Sequence, residues 1–125
     1  MLLMTNRTIL LSGLLFLSLL SFSGKEAEDQ KLFIVIYTPG ENWNNSKQPQ
    51  EQDYFNFHSK RLQAYRKEGK ILLGARYSNK GMIIMPAETE EEIKKIVFAD
   101  SAVLAKTFNA EVFPYNVFYD GCIKR

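Results

Sequence analysis

The run Leu32-Phe33-Ile34-Val35-Ile36-Tyr37 constrains this chain more than any other stretch of it. Residues of both alternating faces are apolar, most of them β-branched or aromatic, and Thr38-Pro39-Gly40 closes the run. Successive side chains of a strand point to opposite faces, so the pattern predicts a strand buried on both sides and ended by a turn. Whatever sheet contains it needs two covers.

The residues that follow supply one of them. Pro49 near a helix start and Gly69 as a stop bracket a helix expected over about 51–68. On it Phe55, His58, Leu62 and Tyr65 recur at intervals of three, four and three, which stacks them on one face. His58 therefore points with the apolar stripe, while Lys60, Arg61, Arg66 and Lys67 read as a solvated face that also suits the negative end of the helix dipole. Ile71 to Tyr77 and Gly81 to Met85 read as two strands joined by Ser78-Asn79-Lys80, with Gly81 relieving the backbone of the hairpin. Thr89 with Glu92 three positions on has the spacing of a capping box. The helix it opens carries Ile93, Ile96 and Val97 on its buried stripe. Asp100 lies seven residues beyond Ile93 and extends the same face. One or two further helical turns are expected from Ala102 to Lys106, and Glu111 to Tyr119 forms a closing strand in which Pro114 marks an edge or a bulge.

Strand, helix, strand, strand, helix, strand is the order of an α+β, ferredoxin-like βαββαβ fold, a four-stranded antiparallel sheet with both helices on one face. That leaves the second face of Leu32–Tyr37 bare. A second copy packed sheet to sheet by two-fold symmetry is the simplest cover, so a homodimer is expected.

The N-terminal residues bear on compartment. Arg7, the apolar run Ile9 to Leu20 and the small residues Ser21 and Ser23 read as a secretory signal over residues 1–23, cleaved after Ser23. The stretch turns polar at Lys25, short of the roughly 20 apolar residues that an uncleaved membrane anchor needs. An exported protein, periplasmic or secreted, is expected, with no membrane attachment after cleavage. Of 125 residues, 125 − 23 = 102 remain, which suits one domain: a polar lead at 24–30 and a folded region at 31–125. Loss of Arg7 lowers the formal charge from +2 to +1, too little for a nucleic-acid or membrane-surface footprint. Cys122 is the single cysteine, so no internal disulfide is available.

His58 is the single histidine and the natural proton carrier near neutral pH. A carboxylate bonded to one ring nitrogen would fix its tautomer and leave the other free to take or give a proton, and Asp100 is the candidate. Each has a plainer reading: His58 as a hydrogen-bonded core residue, Asp100 as a cap on the helical turn that starts at Ser101. One carboxylate has lone pairs for both roles. Arg76, on an otherwise apolar strand, either reaches solvent or pairs with a glutamate, or holds the carboxylate or phenolate of a small ligand in its planar fork. Trp43, Tyr77, Phe113 and Tyr115 either line a pocket for a flat apolar ligand or pack in the core or dimer interface. One histidine without neighbouring His or Cys gives no metal-ligand spacing, and phosphate loops, dinucleotide fingerprints and nucleophile elbows are absent, so no metal or cofactor is expected.

In this order the chain from Leu32 to Phe118 resembles the YciI-like (YCII-related) family of the dimeric α/β-barrel superfamily. The likeness is carried by Thr38-Pro39-Gly40 with Trp43 in the following loop, and by His58 and Leu62 on a helix ending at Gly69. Leu72-Leu73-Gly74, Gly81-Met82-Ile83, Ala99-Asp100 and Pro114-Tyr115-Asn116-Val117-Phe118 complete the set. The resemblance implies a ferredoxin-like fold paired into a dimeric barrel, and a His58–Asp100 active-site pair. Ser101 stands where the family has proline, and Arg76 where many members have a Gly-Pro step. The family is functionally diverse, with a dechlorinating lyase among its members, so the implied activity is a cofactor-independent lyase or isomerase; a non-catalytic ligand-binding or structural homodimer is the alternative.

Overall fold

The structure is a computed structural model that describes residues 30–121 and 123. The expected signal at 1–23, all but the last residue of the 24–30 lead, and Cys122 lie outside the described residues. The rest is an α+β fold with a four-stranded antiparallel sheet and three α-helices. The strands are β1 (Lys31–Pro39), β2 (Leu73–Tyr77), β3 (Lys80–Ala87) and β4 (Phe108–Tyr115), in the spatial order β2-β3-β1-β4. The helices are α1 (Phe55–Lys67), α2 (Glu90–Phe98) and α3 (Ser101–Leu104). This order is compatible with a ferredoxin-like sheet.

Strand β1 sits at the centre, bonded on one side to β3 and on the other to β4. Its alternation sorts the apolar run into two sets: Phe33, Val35 and Tyr37 are buried, whereas Leu32, Ile34 and Ile36 are half-buried. The buried set joins Ile83 and Met85 of β3, Val112 of β4, and Ile93 and Val97 of α2 in the core, with Leu62 and Tyr65 of α1 packed against it. The helices thus cover one face; on the other, Ile84 at the centre of the sheet is buried, while Leu32, Ile34, Ile36 and Met82 are half-buried and Leu73 and Phe113 are exposed.

Several boundaries differ from expectation for local reasons. Pro49 does start a helix, but a short 3-10 turn, Pro49–Glu51; Tyr54 then takes a left-handed conformation (φ 63°), so α1 begins only at Phe55. Gly69, at φ 75°, ends it as expected, since glycine has no Cβ to resist that conformation. Strand β2 begins at Leu73 rather than Ile71, which is buried in the core ahead of it. In the β2–β3 turn Ser78, not Gly81, carries the positive φ. Thr89 caps α2 by accepting the Glu92 N–H at 3.4 Å. Strand β4 runs four residues short of the expected Tyr119, because Tyr115 already pairs with Leu32 near the start of β1 and little partner strand remains. Pro114 is tolerated because β4 lies at the sheet edge. Gly40 is obligatory on other grounds: a Cβ there would meet the Lys106 carbonyl oxygen at 2.2 Å, at the point where the end of β1 bonds to the loop before β4.

Candidate functional site

Helix α1 places His58 on its buried face, one turn inside its N-terminus. Asp100 comes from the break between α2 and α3. Rather than extending the α2 stripe, it stands beyond the end of that helix in an extended conformation and is the N-cap of α3. Its Oδ1 accepts the Ala102 N–H at 2.9 Å, the cap, while its Oδ2 lies 2.9 Å from Nδ1 of His58. Both expected roles coexist on one carboxylate. Ser101, in place of the proline of the resembled family, is the first residue of α3, a position where proline's missing N–H and fixed φ are tolerated and where serine is no obstacle.

Burial alone, the largest single influence, would push the Asp100 carboxyl up. The hydrogen bond and charge of His58, the Ala102 N–H and the Arg61 guanidinium together outweigh it and hold the group below the usual carboxylate range. An ionised carboxylate only accepts, so Nδ1 carries the proton, and this assigns the tautomer. In the neutral ring Nε2 is then the acceptor, and no protein group bonds it among the described residues. The imidazole is also clamped by rings. Tyr37 stands edge-on to it and Phe108 lies tilted against it, each with its centroid 4.9 Å away.

Tyr37 reaches the site from β1. Burial first, and the Asp100 charge second, push its phenol well above the ordinary range, with Arg61 opposing, so it stays protonated. Arg61 itself was expected on the solvated face. It is instead half-buried: Nη2 donates to the Ile96 carbonyl at 3.0 Å, its guanidinium lies 5.4 Å from the Tyr65 ring centroid, and Nε is buried without a partner. One guanidinium held between α1 and α2 supplies the positive field next to an otherwise acidic group.

His58 lines a cleft of about 510 Å³ between α1, the β2–β3 hairpin and the loop after β1, a size typical of small-molecule sites. Trp43 and Arg76, both singled out in the sequence, line it as well. The loop bearing Trp43 is stapled by the buried Gln52, whose Nε2 donates to the Asn44 carbonyl at 2.7 Å and whose Oε1 accepts the Asn44 N–H at 2.9 Å. The indole packs at 5.5 Å on Phe108. Tyr115 is not brought to the site. It pairs with Leu32 on the uncovered face of the sheet, and strand alternation puts Phe113 and Tyr77 on that face too. Sequence reasoning missed Tyr37, Phe108, Gln52 and the inward turn of Arg61. Only Tyr37 carried a signal, its inward alternation with Val35.

Among the described residues no group of three or more His, Cys, Asp or Glu could hold a metal ion, and no helix is long and apolar enough to cross a membrane. Comparison with known families, with curated proteins and with solved structures returns no match. Chemistry at this site is therefore decided by its own residues.

Proposed function

We propose that this protein is an exported, YciI-like homodimer of the ferredoxin-like, dimeric α/β-barrel type. In it His58 moves a proton on a small anionic or aromatic substrate, in a cofactor-independent lyase or isomerase reaction. The observation that carries the chemical part is the buried 2.9 Å bond between His58 Nδ1 and Asp100 Oδ2 at the wall of a ligand-sized cleft. Asp100 positions the ring and stabilises the imidazolium that forms when Nε2 takes a proton. Tyr37, a neutral phenol against the same ring, is the donor for negative charge developing on substrate oxygen. Replacing His58 with Gln removes the titrating nitrogen but keeps a polar side chain of similar length. Turnover of an identified substrate is expected to fall by about 10²–10⁴-fold, the usual share of a general acid or base; wild-type turnover in that variant sinks the proposal.

The family and fold assignment is supported by the ordered set of residues from Thr38 to Phe118 and by the strand order. Dimerisation is supported by the uncovered sheet face, where Leu73, Ile84, Ile34 and Phe113 form one apolar row across all four strands. Leu73 and Phe113 are 41% and 45% exposed, a cost for a monomer that a second copy would remove. Export is supported only by the pattern of residues 1–23.

A second reading, a non-catalytic binding or structural dimer, is favoured by the α3 cap, because Asp100 already has a structural role and His58 can serve to tie α1 to it. The two readings part on His58→Ala. If the pair is structural only, the loss is confined to stability, about 1.5–3 kcal/mol for a hydrogen bond to a charged group.

A further inference from the structure

The cleft has a floor, and its composition is unusual. On the helix-facing side, β2 and β3 present two cross-strand pairs, Gly74 with Ile83 and Arg76 with Gly81. The two glycines sit diagonally, so half of this surface has no side chains. A Cβ built on Gly74 meets nothing closer than 3.7 Å, and one on Gly81 nothing closer than 3.9 Å. Neither glycine has a positive φ. No backbone demand therefore explains them, and what their absent side chains leave is open space in the cleft.

Charge in the cleft is equally one-sided. No aspartate or glutamate lines it. Arg76 lies in the same cross-strand row as Gly81 and Tyr37, makes no ion pair among the described residues, and is exposed. Lys80, also at the rim, is turned by strand alternation to the opposite face, where its ammonium lies 5.9 Å from the Tyr77 ring. One guanidinium remains directed into the cleft. Two strand spacings separate the backbones of Arg76 and Tyr37, about 10 Å, and the Tyr37 ring touches that of His58.

From this arrangement we infer that the cleft takes a flat monocarboxylate, its carboxylate on the Arg76 fork and its planar body on the Gly74–Gly81 floor, with the far end at His58 Nε2. A single planar guanidinium matches a carboxylate through two parallel hydrogen bonds, and its one positive charge balances a monocarboxylate but not a phosphate dianion. Bare peptide on the floor and the Trp43 and Phe108 rings favour a flat body over a branched one. The inference deepens the proposed function by naming the substrate class, and it rests on His58 facing the ligand.

Benzoate titrated into the full chain, followed by amide and imidazole NMR, tests it apart from any turnover. Expected are benzoate shifts at the Gly74 and Gly81 amides, weaker binding of benzamide and cyclohexanecarboxylate, and no competition by inorganic phosphate. Arg76→Gln should weaken benzoate about 10–100-fold, the value of a hydrogen bond to a charged group, and Arg76→Lys less. Gly74→Val should block binding while amide shifts outside the cleft stay in place. In His58→Gln benzoate should still shift the Gly74 and Gly81 amides, since the carboxylate sits at the other end, so loss of turnover there with these shifts retained separates the two proposals. Benzamide binding as tightly as benzoate, displacement by phosphate, absence of benzoate shifts at millimolar concentration, or unchanged affinity in Arg76→Gln each overturns the inference.

Discussion

The two faces of the sheet are built from the same kinds of residue and meet opposite fates. On β1, Phe33, Val35 and Tyr37 are at most 5% exposed beneath the helices, while their neighbours Leu32, Ile34 and Ile36 stay half-buried on the other side. On β3, Met85 is buried and Met82 is not, although Ile84 on the face of Met82 is buried too. The difference teaches where a polar site can be built. On the covered face the helices exclude water, so His58 and Asp100 are held by each other and by packed rings, and their bond is strengthened by low dielectric. The other face has no such pair: it is apolar around Ile34 and Ile84 and polar at the end that carries Lys80, Thr38, Asn109 and Glu111, a surface suited to association rather than chemistry.

The largest expected effect tests the covered face at its polar point. Asp100→Ala leaves His58 Nδ1 without its partner and α3 without its cap, and should cost about 3–5 kcal/mol in denaturant unfolding, as breaking a buried pair does. Asp100→Asn keeps a capping oxygen yet presents an amide to Nδ1. Imidazole ¹⁵N shifts should then report the opposite ring tautomer in a folded protein; an unchanged tautomer means that Asp100 does not set it.

Paired methionines on one strand sharpen the comparison next. Met85→Ala should cost about 2–5 kcal/mol by emptying packed core volume, whereas Met82→Ala at low protein concentration should stay within about 0.5 kcal/mol of wild type. Equal losses would mean that both faces are covered within one chain. If the uncovered face joins two copies, Ile34→Glu should convert the protein to monomer by light scattering while changing monomer stability little. A wild-type monomer at micromolar concentration breaks the dimer reading outright.

The smallest effect concerns acid. Because the folded Asp100 carboxyl lies below its ordinary value of 3.8, its contribution to stability is fully present above that pH and is lost as pH falls through the lower folded value. Acid unfolding should therefore steepen below about pH 3.8 in the wild type and lose that component in Asp100→Asn. An identical acid profile in the two proteins refutes the assignment.

How much of this was legible beforehand depended on range. The α1 stripe, the Thr89 cap and the Gly69 stop were readable because each is set by spacings of a few residues, and Pro114 narrowed its strand to an edge or a bulge. Strand ends were less readable, since β4 stops where β1 stops offering partners. The face of Tyr115 was not readable because it depends on register with β1, nor was the inward turn of Arg61, because helical periodicity alone does not reveal that α2 stands near enough to take its guanidinium.

The sequence by itself determined the kinds and order of the elements, the inward direction of His58 and the capping role of Asp100, all consequences of short-range backbone geometry. Only the tertiary structure decided which face of β1 is covered. It also brought together two groups 42 positions apart, and placed a glycine floor and an arginine without an ion pair among the described residues in the same cleft as the histidine. Those depend on how helices seat on a registered sheet, and packing across such distances leaves no periodic trace along the chain.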